Sequence, residues 1–201
     1  MTRALLVIDV QESFRQRPLW QAISNPRIAD DVARLVDGVR ADGDLVVWVL
    51  HAEPGSGGPF DPASGHVRFI DPLAPGAGEP VFRKTSHNAF TTTGLQQLLT
   101  QHGVTELVVC GIRTEQCCET TARVASDLGY QVTFVSEATA TNPIAHRDAP
   151  PEQSVAELLA DPRTLPAAEV IERTEYALAG RFAAIATIGE VTGRPAALTG
   201  S

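Results

Sequence analysis

Long hydrophobic runs are missing from the start of this chain: "MTRALLVIDVQESF" holds an apolar stretch of only five residues, Ala4 to Ile8, before Asp9 interrupts it. That is too short for a signal-peptide core or a membrane span, so a soluble cytoplasmic protein is expected. Basic clusters are missing too. The formal net charge is −8, which argues against nucleic acid and anionic membrane as partners and leaves a small-molecule substrate. Cysteine is scarce: there are three, an odd number with two adjacent, unlike the even framework of a secreted disulfide scaffold. Neither a CxxC pair nor an HxH cluster accompanies them, so zinc is not expected. Internal repeats and low-complexity segments are absent as well.

What is present is a chain of 201 residues, 43% hydrophobic, long enough for one α/β domain over residues 1–201. "ALLVID" (4–9) reads as a buried strand. "RIADDVARLVDGVRADG" (27–43) puts Ile28, Val32, Leu35, Val36 and Val39 on one helical face. "DLVVWVLH" (44–51), "PVFRKTS" (80–86), "TELVVCGI" and "YQVTFVSEA" read as further strands, and "RFAAIATIGE" as a last one. "TGLQQLLTQHG" (93–103), "QCCETTARVASDLG", "PEQSVAELLADP" and "AAEVIERTEYALAG" read as helices. The segments "AEPGSGGPFDPASGH" and "DPLAPGAGEP" are Gly/Pro-rich loops, and a loose tail is expected from about residue 190. Continuous apolar strands with intervening helices predict a three-layer α/β/α fold around a mostly parallel, Rossmann-like sheet of about six strands. Chemistry in such a sheet collects beyond the carboxyl ends of its strands, which directs attention to Asp9, His51, Lys84 and the residues after Val109.

All three cysteines fall in "ELVVCGIRTEQCCETTARVASDLGY" (106–130). Cys110 sits inside a strand and reads as a small buried apolar residue. Cys117 and Cys118 follow a turn in which Thr114 is placed to cap the next helix. A thiol in a first helical turn meets unpaired N–H groups and the positive end of the helix dipole, both of which favour thiolate. Neighbouring helical residues point about 100° apart, and composition does not say which thiol faces the sheet edge. A disulfide between them would be strained. A nucleophilic cysteine and plain packing both remain open on these grounds.

"ALLVIDVQESF", "FRKTSHNAF" and "LVVCGIRTEQCCETTARVASDLGYQVTFVSEAT", in that order, resemble the three signature segments of the isochorismatase-like cysteine hydrolases. The third is the most specific. Its pattern G-I-x-T-x-x-C-x-x-x-T-A-x-x-A-x-x-x-G is met at Gly111, Ile112, Thr114, Cys117, Thr121, Ala122, Ala125 and Gly129. The resemblance implies a catalytic triad of Asp9, Lys84 and Cys117, with Cys118 at a position usually filled by a small apolar residue. It also implies an oxyanion hole from the backbone amides of Arg113 and Cys117, presented by a non-proline cis peptide at Ile112–Arg113, and no cofactor. Under this reading Lys84 keeps both Asp9 and the Cys117 thiolate charged.

Two departures narrow the substrate. Nicotinamidases of this family carry a metal-binding D-x-H after the second strand; "VLHAEPGSGGPF" offers His51 and Glu53 without an aspartate two residues before the histidine. No metal is therefore expected, and nicotinamide is not favoured. Family members that cleave the vinyl ether of isochorismate generally lack the cysteine, so Cys117 points to hydrolysis of a C–N bond in a small amide, ureide or carbamoyl compound. Vinyl ether hydrolysis and an inactive small-molecule-binding module are the alternatives. Phe14, Trp20 and His51 are the candidate substrate-pocket residues, with Phe60 and Arg113 beside them. Relatives commonly assemble, so a homodimer or homotetramer is expected.

Overall fold

The computed structural model describes residues 2–193. Six strands alternate with helices: β1 (Thr2–Ile8), β2 (Leu45–His51), β3 (Val81–Lys84), β4 (Val104–Ile112), β5 (Gln131–Ala140) and β6 (Ala184–Ile185). The helices are α1 (Glu12–Arg15), α2 (Ile28–Ala41), α3 (Leu95–Gln101), α4 (Glu119–Asp127), α5 (Val155–Ala160), α6 (Ala167–Leu178) and α7 (Ile188–Thr192). Every strand pair is parallel, in the order β3-β2-β1-β4-β5-β6. This is the doubly wound order, whose winding reverses between β1 and β4.

The absence of polar alternation in the strands follows from burial on both faces. Along β1, Leu5 and Val7 join one apolar cluster while Ala4, Leu6 and Ile8 join the other. The first cluster is closed by Ile28, Val32, Leu35, Val36 and Val39 of α2 and by Ile188 and Val191 of α7. The second is closed by Leu95 and Leu99 of α3, Ala122 and Ala125 of α4, and Leu178 of α6. A strand with both faces covered has no position for a polar residue until it leaves the sheet. After Arg3, the next polar residue along this run is Asp9, one position past the end of β1.

Three sequence expectations change. "RFAAIATIGE" contributes a two-residue strand, β6, and its end becomes the start of α7, which Thr187 and Glu190 open with a capping box. Of the loose tail expected from about residue 190, the described part is not loose, because Val191 packs into the core and Thr192 is still helical; residues 194–201 lie outside the described residues. Thr114 does not cap a helix: its hydroxyl donates to Thr139 Oγ1 at 2.8 Å instead. Among the described residues no helix is long and apolar enough to cross a membrane.

Candidate active site

Four consecutive strands of the sheet end at one place. His51 closes β2 and Lys84 closes β3, and the two are paired in register. Asp9 follows β1, and Gly111 of β4 pairs with Ile8 of β1. Strands lie about 4.8 Å apart, so Lys84 starts two strands from Asp9 and its four-carbon stem crosses above His51. Its Nζ ends 2.7 Å from Asp9 Oδ2 and donates to Cys117 Sγ at 3.4 Å, His51 Nδ1 at 3.4 Å and Ser86 O at 3.1 Å. Four acceptors compete for three ammonium protons. The contact to Asp9 is an ion pair whose angle falls short of a hydrogen bond, which leaves both Asp9 oxygens without a hydrogen-bond partner. Asp9 and Lys84 are fully buried and Cys117 nearly so.

The backbone is shaped to bring these groups together. Asp9 has φ 54°, the one positive φ at a non-glycine among the described residues. That turn sends its carboxyl group over the sheet edge rather than along β1, while its N–H donates to Val49 O at 2.9 Å. Gln11 ties the same edge to β2: His51 N–H donates to Gln11 Oε1 at 2.8 Å, and Gln11 Nε2 donates to His51 O at 3.0 Å. Gly111 has φ 132°, and a Cβ there would sit 1.9 Å from Ile8 O. Only a residue without a side chain lets β4 run that close to β1. The Ile112–Arg113 peptide that follows is cis. After it comes one π-helical turn, Thr114–Cys118, before α4 begins. Cys117 therefore sits in a π-turn, not in the first turn of an α-helix as the sequence suggests. The Arg113 N–H finds no acceptor among the described residues.

The electrostatics differ from the sequence expectation. Burial, reinforced by the Asp9 carboxylate, pushes the Cys117 thiol up to about 12, and Lys84 offsets this only in part. The resting residue is a thiol rather than a thiolate. Burial raises Asp9 above the ordinary carboxylate range, against the pull of Lys84. Burial disfavours the charged Lys84, but Asp9 and Cys117 outweigh it and the ammonium is held. Burial and then Lys84 push His51 down. A neutral His51 accepts from Lys84 at Nδ1 and faces Glu53 Oε1 from Nε2 at 3.4 Å. Cys118 and Cys110 are fully buried, and burial drives both thiols upward.

Of the candidate pocket residues, His51 is within hydrogen-bond distance of the Asp9–Lys84–Cys117 cluster, through Lys84 Nζ. Phe14 packs edge-on against Phe60 at 5.0 Å and, with Trp20 and Arg113, lines a crevice of about 10 Å³. A larger cavity, about 880 Å³, shares Arg17, Leu19 and Arg113 with that crevice. It is bounded by Arg17, Leu19, Gln116, the residues 143–145 and 149–151, and α5. Sequence reasoning missed Arg17, Gln11 and this wall, because none of them belongs to a motif and the wall is assembled from segments over a hundred positions apart. Among the described residues no group of three or more His, Cys, Asp or Glu is placed to hold a metal ion.

Fold and site together define a doubly wound α/β protein with a buried Asp–Lys–Cys cluster at its switch point. The chain belongs to the isochorismatase family of hydrolases: the Isochorismatase domain profile matches residues 3–164. It is 38% identical over 182 residues to a streptothricin hydrolase of Streptomyces noursei, covering 88% of this chain and 65% of that one. It is 44% identical over 152 residues to nicotinamidase 3 of Arabidopsis thaliana, covering 69% of this chain and 73% of that one. The chain thus spans less than two thirds of the streptothricin hydrolase it matches. Among solved structures it superposes on an isochorismatase from Pseudomonas putida KT2440 with a TM-score of 0.80 at 32% identity, covering 94% of this chain and 89% of that chain. A hydrolase of the isochorismatase family from Chromobacterium violaceum gives a TM-score of 0.83 at 26% identity, with 96% and 92% covered.

Proposed function

We propose that this chain hydrolyses a carbon–nitrogen bond in a small amide, ureide or carbamoyl compound through a thioester on Cys117. The observation that carries this reading is the shared ammonium: Lys84 Nζ stands 2.7 Å from Asp9 and 3.4 Å from Cys117, and all three side chains are buried. A binding module has no need of a buried acid, a buried cation and a buried thiol in contact, since burying charges is costly unless they do something together.

Because Cys117 rests as a thiol, attack and deprotonation are coupled. Asp9 takes the Sγ proton as Sγ bonds to the carbonyl carbon, and the carbonyl oxygen becomes an oxyanion. The unengaged Arg113 N–H and the Cys117 N–H are the donors for that oxygen. When the tetrahedral adduct collapses, the C–N bond breaks and Asp9 returns the proton to the leaving nitrogen. Water then attacks the thioester, gives a proton to Asp9, and the C–S bond breaks; that proton restores the Cys117 thiol. The products are the acid and the amine. The raised Asp9 suits a group that must accept a proton and give it back. Lys84 stays charged throughout, holding Asp9 ionised before attack and the sulfur anionic during it. The residues present supply every proton movement, so the reading includes metal independence.

The test is ammonia or amine release across a panel of small amides, ureides and carbamoyl compounds, with nicotinamide included because of the nicotinamidase relative. It is run with and without a chelator, alongside intact-mass detection of an acyl adduct on Cys117. Turnover that survives in Cys117→Ala, or that needs added metal, would refute the reading. We also infer a homodimer or homotetramer; a light-scattering mass at the 21.4 kDa of one chain would count against it.

A further inference from the structure

The large cavity has an unusual wall for an acidic protein. In a chain of net charge −8, the residues bounding its roughly 880 Å³ include two arginines, Arg17 and Arg113, and no aspartate or glutamate. Most of the remaining lining is apolar, including Leu19, Ile144 and Leu158. The two guanidinium groups are not equivalent. Arg113 is fixed from behind: Glu115 lies 3.2 Å away, its Nε donates to Thr141 Oγ1 at 3.3 Å, and its Nη2 donates to Asn142 O at 3.5 Å. Arg17 is exposed and has no ion-pair partner among the described residues. It lines the same cavity as Arg113. One positive charge of this pair is neutralised by Glu115, and the other faces the cavity.

The lining includes two residues of the segment that carries Cys117, although none of Asp9, Lys84 and Cys117 is part of it. Arg113 carries the unengaged amide, and Gln116 precedes Cys117; both lie on its wall. A substrate that reacts at Cys117 with its remainder in this cavity would meet mostly apolar groups and the exposed guanidinium of Arg17. We infer that the substrate is an anionic amide, with an apolar body and a carboxylate several bonds from the scissile C–N bond that Arg17 receives. This rests on the reading of Cys117 as the nucleophile. A guanidinium already preorganised by carboxylate and hydroxyl partners, beside one that lacks a partner, is a site for a planar anion rather than for a cation. The volume falls within the range of sites that enclose a whole organic ligand of moderate size.

Three primary amides of similar length separate charge from shape: adipamate (the monoamide of adipic acid), hexanamide and 6-aminohexanamide. Ammonia release by the wild type should rank them adipamate, hexanamide, 6-aminohexanamide, with adipamate ahead of hexanamide by about tenfold or more in kcat/KM, the size of one charge-assisted contact. Arg17→Gln should cut the adipamate-to-hexanamide ratio by about the same factor, acting through KM, and added salt should shrink it in the wild type. Binding of adipamate to Cys117→Ala, measured by calorimetry, should weaken by about tenfold when Arg17→Gln is added. Ammonia release with no charge preference, or a preference for 6-aminohexanamide, overturns the inference and leaves the hydrolase reading standing. Arg17-dependent binding without any ammonia release sustains the cavity's anion preference and removes the hydrolase reading. Absence of both binding and release overturns the inference.

Discussion

The sheet edge that holds Asp9, Lys84 and Cys117 and the cavity wall that begins at Arg113 are built on opposite plans, although they share a residue. At the edge, the four strand ends are held by main-chain register, two of them also by the two-way Gln11–His51 bridge, and the clustered groups are almost dry. The wall is made of prolines, a 3-10 turn and a six-residue helix, with its one unpaired cation in contact with water. Dryness at the edge strengthens each charge interaction and fixes geometry. The wall has few buried contacts to hold it, which suits a surface that must fit a ligand and release it. On the proposed reading, chemistry is anchored in the sheet, whereas recognition is left to connections that vary without disturbing it.

The largest expected effect sits at the edge and contrasts two adjacent thiols. Cys117→Ala should abolish amide hydrolysis, while Cys118→Ala should retain most of it and lose about 1 kcal/mol of stability, the cost of a small void in a packed layer. Cys118 is completely buried between sheet and helix, whereas Cys117 is the thiol within reach of Lys84. Steady-state rates and a denaturant melt on both variants check this. Equal loss of activity in two folded variants would dissolve the assignment.

Gly111→Ala comes next, and its effect should be on folding before chemistry. The added Cβ would meet Ile8 O at 1.9 Å, and φ 132° is unfavourable for any side chain. Neither can relax without parting β4 from β1, so a loss of several kcal/mol is expected, comparable with other large core disruptions. A denaturation midpoint close to wild type would show that the switch point is softer than its geometry implies. Gly43→Ala is the comparison: it also has positive φ, at 77°, but nothing stands within 4 Å of its Cβ. Its cost should be confined to backbone strain of about 1 kcal/mol.

Much of the edge was legible in the chain because its positions are set by strand ends, and strand ends are where apolar runs stop. Asp9 interrupts "ALLVI", His51 and Lys84 close their runs, and Gly111 precedes the thiols. The protonation state of Cys117 was not legible. Helix position and a nearby lysine both argue for thiolate, and only the packed structure shows that burial and Asp9 outweigh them. Arg17 was equally hidden. Its significance comes from lacking an ion-pair partner among the described residues and from lining the same cavity as Arg113, and neither property leaves a local pattern.

That correction yields a moderate effect with a definite sign. Iodoacetamide reacts with thiolate, so below the thiol pKa the alkylation rate should climb about tenfold per pH unit. With Cys117 raised to about 12, the wild-type profile should still be climbing at pH 9, with Cys117→Ala as the blank. Asp9→Asn removes a charge that raises the thiol, so the profile should move to lower pH even as turnover disappears. Lys84→Met removes a charge that lowers it, so the profile should move to higher pH. A wild-type plateau reached by pH 7 would mean a preformed thiolate, and shifts of the same sign in both variants would mean that one of them does not touch the sulfur.

The smallest effect belongs to the wall and asks whether the two regions are separable. Ser154 opens α5: its side chain accepts from Glu157 N–H at 3.2 Å, and Glu157 Oε2 accepts in return from Ser154 N–H at 2.7 Å. Six residues are too few for a helix to persist on propensity alone, so this reciprocal pair and the burial of Leu158 hold the wall in place. Ser154→Ala removes one half of the pair, at a cost of about 1 kcal/mol. That cost falls on α5 alone, because no strand of the sheet depends on this cap. The cavity should therefore be formed a smaller fraction of the time, and KM should rise a few-fold in proportion, while bound substrate meets an unchanged Asp9, Lys84 and Cys117. Steady-state kinetics on the preferred amide distinguish the cases: a rise in KM with kcat constant keeps recognition and chemistry apart, and a fall in kcat would mean that the wall helps to position the scissile bond.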